Sequence, residues 1–279
     1  MMTTTTPIAP IREPAVAGAF YPDDPKALEA MVRRLVPRAR RATPAIGVVC
    51  PHAGYQYSGS VAGSTLARTV IPERVILLGP NHTGFGAPFS IMTRGAWRTP
   101  LGEVPIDGPL ADELVAATGV LQPDEAAHRN EHSIEVQLPL LQHLQPAVRI
   151  VPIILTSAPW EAYHRIGQGI AEIVRRSRDP VLLVASSDLT HYEPQETAKT
   201  QDAKALAAIE AVDPERLMKT VLGEHISMCG YAPTTAMLVA ARALGAIRGE
   251  LVEYRTSGDE TGDYESVVGY AGVIIRGGS

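Results

Sequence analysis

Cysteine is scarce in this chain, with only Cys50 and Cys229 among 279 residues. Two thiols do not make the disulfide framework of a small secreted fold, so both are read as reduced. Aromatic residues are few as well, with three Phe and two Trp, and they form no stripe of the kind that lines a peptide groove. An excess of basic charge is missing. The net charge is −5, which argues against nucleic acid as the main partner. The one dense basic stretch, "RRLVPRARRA" from Arg33, reads as a solvated helix end and loop. No apolar run approaches the ~20 residues of a membrane span. The opening "MMTTTTPIAP" lacks both the basic and the apolar part of a signal peptide. These absences together lead to the expectation of a cytoplasmic protein that meets neither membrane nor nucleic acid.

What is present is an ordinary globular composition, 45% hydrophobic and 20% charged. Residues 1–11 are Thr-rich, contain Pro and show no periodicity, so a disordered tail is expected there. Residues 12–279 show no linker and no repeat, and they read as one domain. Short Val- and Ile-rich runs recur: "AIGVVC" (45–50), "RVILLG" (74–79), "FSIMT" (89–93), "RIVPIIL" (149–155), "PVLLVAS" (180–186) and "SVVGYAGVII" (266–275). Segments with helical spacing lie between them. "DPKALEAMVRRLV" opens with Asp before Pro, a helix start. "APTTAMLVAARALGA" is almost wholly apolar, which predicts a buried helix ended by Gly245. Strands alternating with helices predict an α/β fold with a central, mostly parallel sheet flanked by helices. The continuous apolar strands agree, because such strands are covered on both faces.

Polar side chains gather where these strands end. "PHAGY" puts His52 just past the first strand, "PNHTG" puts His82 past the second, and "SSDLTHY" puts Asp188 and His191 past a third. In open α/β sheets, ligands bind outside the carboxyl ends of the strands, so three strand ends can aim imidazoles at one crevice. Cys229 precedes the apolar helix, a setting that lowers a thiol pKa. Neutral imidazoles and a thiolate are metal ligands. Cys50 ends an apolar strand and reads as core. In "RNEHSIEVQLPLLQHL", Glu131 and His132 precede an apolar helical stripe. There His132 can line the crevice, and Glu131 can orient it or bond a backbone N–H. Capping is the competing reading, and Pro139 kinks the helix unless it lies near its start. His128, His143, His164 and His225 have no such setting and read as surface or core.

"PAVAGAFYP", "PHAGYQYSG", "LLGPNHTG", "EHSIEVQLPLL", "SSDLTHY" and "CGYAPTTAML" follow one another in an order that resembles the Memo family, whose prokaryotic members are called AmmeMemoRadiSam system protein B. The resemblance runs from about Arg12 to about Ile275. It implies a fold similar to the LigB-type subunit of class III extradiol dioxygenases. It also implies a metal pocket formed by His52, His82 and Cys229, with Asp188 and His191 beside it and His132 nearby. Iron(II) or copper and redox chemistry are implied as well, as are radical-SAM and AMMECR-type partner proteins. The chain departs from the pattern in two ways. Extradiol dioxygenases use two His and a carboxylate, whereas the third ligand here is a thiolate. Tyr231 stands where relatives often carry an Arg able to bind an anion.

On this reading His191 is the acid–base group, and Asp188 either orients an imidazole or supports the metal from behind; a plain Asx-turn is the structural alternative for Asp188. The expected activity is that of a dioxygenase-like oxidoreductase acting on a small molecule. Two other readings stay open. One is a zinc-dependent hydrolase on the same ligands; the other is a non-catalytic protein that binds a peptide, a partner or a metal to be carried.

Overall fold

The computed structural model describes residues 10–37 and 42–278. Four parallel strands form the centre of a nine-stranded sheet, in the order Arg149–Leu155, Arg74–Pro80, Val181–Ser186, Gly47–Cys50. Their register places Leu77 beside Pro152 and Val184, and Val48 also beside Val184. The strands that flank this centre on either side are antiparallel to it. Phe89–Ile91 flanks one side and itself pairs with Gln122–Pro123; Val267–Gly277 flanks the other and pairs in turn with His191–Glu193 and Ala246–Thr256. The expected parallel sheet is thus the buried core of a mixed one. Pro152 cannot donate to a ladder. It sits one residue past the last pair made by the short neighbour, Ile91 with Ile153, where the Met92 N–H still donates to the Pro152 carbonyl at 3.3 Å and only the reciprocal rung is missing.

Period-two alternation sends the two sides of each central strand to different cores. Val49, Ile76, Leu78, Val151, Ile153, Leu183 and Ala185 face one. Val48, Cys50, Val75, Leu77, Ile150, Ile154, Leu182 and Val184 face the other. The first is covered by helices Gly108–Thr118, Trp160–Arg176, Gln195–Glu210, Pro214–Gly223 and Tyr231–Ala243, the second by Pro25–Leu35, Tyr55–Ala67 and Leu138–Leu144. Three helix starts share one device. Asp24, Asp107 and Asp213 each accept a first-turn N–H, and a Pro follows within two residues. Ala232 through Ala241 are buried in one unbroken run, as their composition predicts, and Gly245 at φ +89° ends that segment.

Residues 1–9 of the expected tail lie outside the described residues. Ile11 does not belong to a tail, because it pairs with Ala96 in a three-stranded side sheet. Of the basic stretch, Arg33 and Arg34 close the Pro25–Leu35 helix, and residues 38–41 lie outside the described residues. Among the described residues, no helix is long and apolar enough to cross a membrane.

Candidate metal centre

The carboxyl ends of Gly47–Cys50, Arg74–Pro80 and Val181–Ser186 open into one cleft of about 460 Å³. His52, His82, His132, Asp188 and His191 line it together with Phe20, Tyr57, Tyr192 and Tyr270. Neighbouring parallel strands end side by side, so the residue just past each strand reaches the same space. One ligand atom from each of His52, His82 and His132 lies within 4.8 Å of the other two. Among the described residues this is the group with the spacing of a metal site. The rings of His82 and His132 stack at 4.7 Å, and His52 meets both edge-on at 5.2 and 5.4 Å.

Each ring is held from behind. His82 Nδ1 lies 2.9 Å from Glu131 Oε1, and the same carboxylate accepts the backbone N–H groups of His82 and Ser133. Burial alone would raise the Glu131 carboxyl, but the His82 and Ser133 bonds outweigh it and bring it to about 2. An ionised Glu131 can only accept, so His82 Nδ1–H donates to it and Nε2 is left as the free ligand atom, the usual support of a metal-binding imidazole. His52 is buried, and its Nδ1 meets Ser186 Oγ at 2.9 Å. Burial, and after it the neighbouring imidazoles, push His52 well below the ordinary histidine range. Burial lowers His132 too. Both are therefore neutral, the form that ligates metal. Phe20 packs edge-on against His132 at 4.9 Å.

The third ligand implied by the resemblance, Cys229, lies against this group. Cys229 Sγ touches His52 Nε2 at 3.2 Å but does not join the three-imidazole group. Its thiol is pushed up rather than down, by burial first and by Asp188 next. The helix that was to lower it starts only at Tyr231, and a helix-end effect of about 1 kcal/mol does not offset burial. Cys50 is buried and, like Cys229, unpaired, and burial raises its thiol.

Asp188 orients no imidazole. Its Oδ1 accepts the backbone N–H of His52 at 2.7 Å, which locks the loop after the first strand to the loop after the third. Burial raises its carboxyl to about 6 against the lowering effect of that bond. His191 lines the cleft, and its Nδ1 lies 2.9 Å from the Ser227 carbonyl. A carbonyl only accepts, so Nδ1 carries the hydrogen and Nε2 is left as a base. Tyr231 lies outside the cleft lining, with its hydroxyl 2.6 Å from Ser157 Oγ and its ring edge-on to Tyr163.

Tyr192, at the cleft mouth, holds φ at +61° within a bulge and is 77% exposed. A bulky side chain in the left-handed region is strained by the order of 1 kcal/mol, and this ring has little packing to offset it. Tyr192→Gly is expected to raise the melting temperature by roughly 2 °C in a thermal denaturation scan. A lower melting temperature would show that the ring is held by contacts.

Sequence reasoning missed the supports. Ser186, Gln137 and Glu135 drew no reading of their own. Glu135 is fully buried and accepts from Arg12, from the N–H groups of Ala15 and Val16, and from the Tyr21 hydroxyl. It clamps the segment that carries Phe20 against the wall of the cleft. The recurrence of "AVAGAFY" and "EHSIEVQ" in one ordered motif set was the available signal.

A MEMO1 family protein of Methanopyrus kandleri is 44% identical to this chain over 281 residues, covering 96% of this chain and 99% of its own length. A MEMO1 family protein of Aquifex aeolicus is 42% identical, covering 95% and 99%. Among solved structures, an uncharacterized protein of Escherichia coli K12 shares the fold, with a TM-score of 0.54 and 15% identity over 82% of this chain and 98% of that one. The family described as Memo-like protein matches residues 12–274, and the chain belongs to it.

Proposed function

We propose that the chain is a metal-dependent, dioxygenase-like oxidoreductase of the non-heme type, with His52, His82 and His132 as the ligands of iron(II) or copper. The observation that carries this reading is the convergence of three imidazoles at the strand ends, with Glu131 behind one and Ser186 behind another. The donor set fits a catalytic ion. Three protein ligands leave coordination positions open toward the cleft, and imidazole suits iron, copper and zinc alike. A bound ion supplies Lewis acidity and, if it is iron or copper, a route for electrons. The chain's own contribution is to hold a small molecule or a peptide end in the cleft and to move a proton at a substrate hydroxyl through His191 Nε2. Asp188 keeps the loops that carry these groups in register. By family resemblance we assign the protein to the cytoplasm, with radical-SAM and AMMECR-type proteins as partners.

A second reading, a zinc-dependent hydrolase, is favoured by one observation. Three imidazoles without a carboxylate are also the donor set of a catalytic zinc site. Elemental analysis of protein purified without oxygen, added metal or chelator separates the two. Near-stoichiometric iron or copper, followed by oxygen uptake with catechols, is the expected result. Stoichiometric zinc without oxygen uptake would move the assignment to the hydrolase. No metal even after reconstitution would overturn both and leave a non-catalytic binding protein.

A further inference from the structure

We infer that Ser186 is a positioning residue that fixes the tautomer of His52. The inference rests on the proposed metal site for its functional meaning, and on hydrogen-bond counting for its structural content.

Three groups surround Ser186 Oγ. The Ser133 carbonyl lies 2.6 Å away, Gln137 Nε2 3.0 Å away and His52 Nδ1 2.9 Å away. A carbonyl can only accept, so the single hydroxyl hydrogen goes to Ser133. The Gln137 amide nitrogen has two hydrogens; one goes to the Pro51 carbonyl at 2.8 Å and the other to Ser186 Oγ. The hydroxyl has no hydrogen left to offer His52. Nδ1 must therefore be the donor, and the lone pair of His52 sits on Nε2.

Ser133, Ser186 and Gln137 are all buried, so removing one member leaves the others short of a partner. A half-satisfied buried network costs more than none, which makes the relay restrictive. One short stretch, Glu131 to Gln137, then organises the whole centre. It supplies His132 itself, directs His82 through Glu131, and directs His52 through the Ser133 carbonyl and the Gln137 amide by way of Ser186. His52 and His82 come to present the same face, Nε2, to the same space.

Ser186→Ala leaves His52 Nδ1 without its acceptor, and the imidazole is then free to carry its proton on Nε2, where it blocks a metal. The test uses the full chain labelled with ¹⁵N-histidine. Long-range ¹H–¹⁵N spectra of the metal-free protein give the tautomer of each ring, and Zn²⁺ competition against a chromophoric chelator gives affinity. The wild type is expected to show His52 as the Nδ1–H tautomer. Ser186→Ala is expected to lose that single state and to bind Zn²⁺ at least ~10-fold more weakly, the scale of outer-shell losses. Ser186→Thr, which keeps the hydroxyl, is expected to restore both. A wild-type spectrum with His52 protonated at Nε2 overturns the inference whether or not the Ala variant folds, and so does an Ala variant with unchanged tautomer and affinity. If the wild type binds no Zn²⁺, iron or copper, the metal reading fails by itself, and the tautomer spectrum still decides the role of Ser186.

Discussion

His132→Ala is expected to strip the centre of metal, whereas Cys229→Ala keeps it. The structure brings one ligand atom from each of His52, His82 and His132 within 4.8 Å of one another, whereas Cys229 Sγ, 3.2 Å from His52 Nε2, is not in that group. Removing one of three ligands leaves two imidazoles, too few to hold an ion against solvent. The loss of affinity should exceed the ~100-fold upper range seen when a mere supporting residue is removed. His132 is also the most replaceable ligand structurally. No hydrogen bond holds its ring, since Glu131 Oε1 is 3.6 Å from its Nδ1; it is kept in place by stacking on His82 and by Phe20. The Ala variant should therefore fold. Elemental analysis with a chelator competition reads the outcome directly, with circular dichroism as the check on folding. The opposite pattern, metal lost in Cys229→Ala and kept in His132→Ala, would make the thiolate the third ligand and His132 a residue of the cleft wall.

That contrast marks where sequence reasoning stops. His52 and His82 follow apolar runs directly, and in a parallel sheet the end of such a run fixes the neighbourhood of the next residue. His132 follows no strand. It stands before a helical stripe, where the pattern of a cap and that of a crevice-lining loop coincide, so its place in the group could not be read. Pro139 raised the same ambiguity; it falls in the first turn of Leu138–Leu144, after a 3₁₀ turn over Glu135–Gln137, and causes no kink. Ala246–Thr256 escaped notice as a strand for a different reason. As the partner of Val267–Gly277 alone it carries Arg248, Glu250, Glu253 and Arg255, and charge masks the apolar signal of a half-covered strand. Ser186 joins Gln137 across 49 residues and Ser133 across 53, and no local pattern announces such a contact.

Glu135→Ala should be the most destabilising single change. Glu135 is fully buried and Arg12 nearly so. The other Arg12 donors are already used, Nε on the His128 carbonyl and Nη2 on the Glu131 carbonyl, and the guanidinium lies 4.3 Å from the centroid of the Trp97 ring. Without Glu135 the cation has no counter-charge, and the N–H groups of Ala15 and Val16 and the Tyr21 hydroxyl lose their acceptor at the same time. Breaking one side of a buried pair costs about 3–5 kcal/mol, a large part of the stability of a typical domain. Urea denaturation followed by circular dichroism measures it. The pair itself is not expected to be worth that much, because both charges also lose hydration. Arg12→Met with Glu135→Met should therefore recover much of the loss. Recovery in the double variant would assign the cost to the stranded cation. A double variant as unstable as Glu135→Ala would assign it to the orphaned backbone donors at Ala15 and Val16, which no methionine can satisfy. Either result bears on the centre, because the segment held by Glu135 delivers Phe20 to His132, and an unclamped segment opens the cleft on the side where only packing holds a ligand in place.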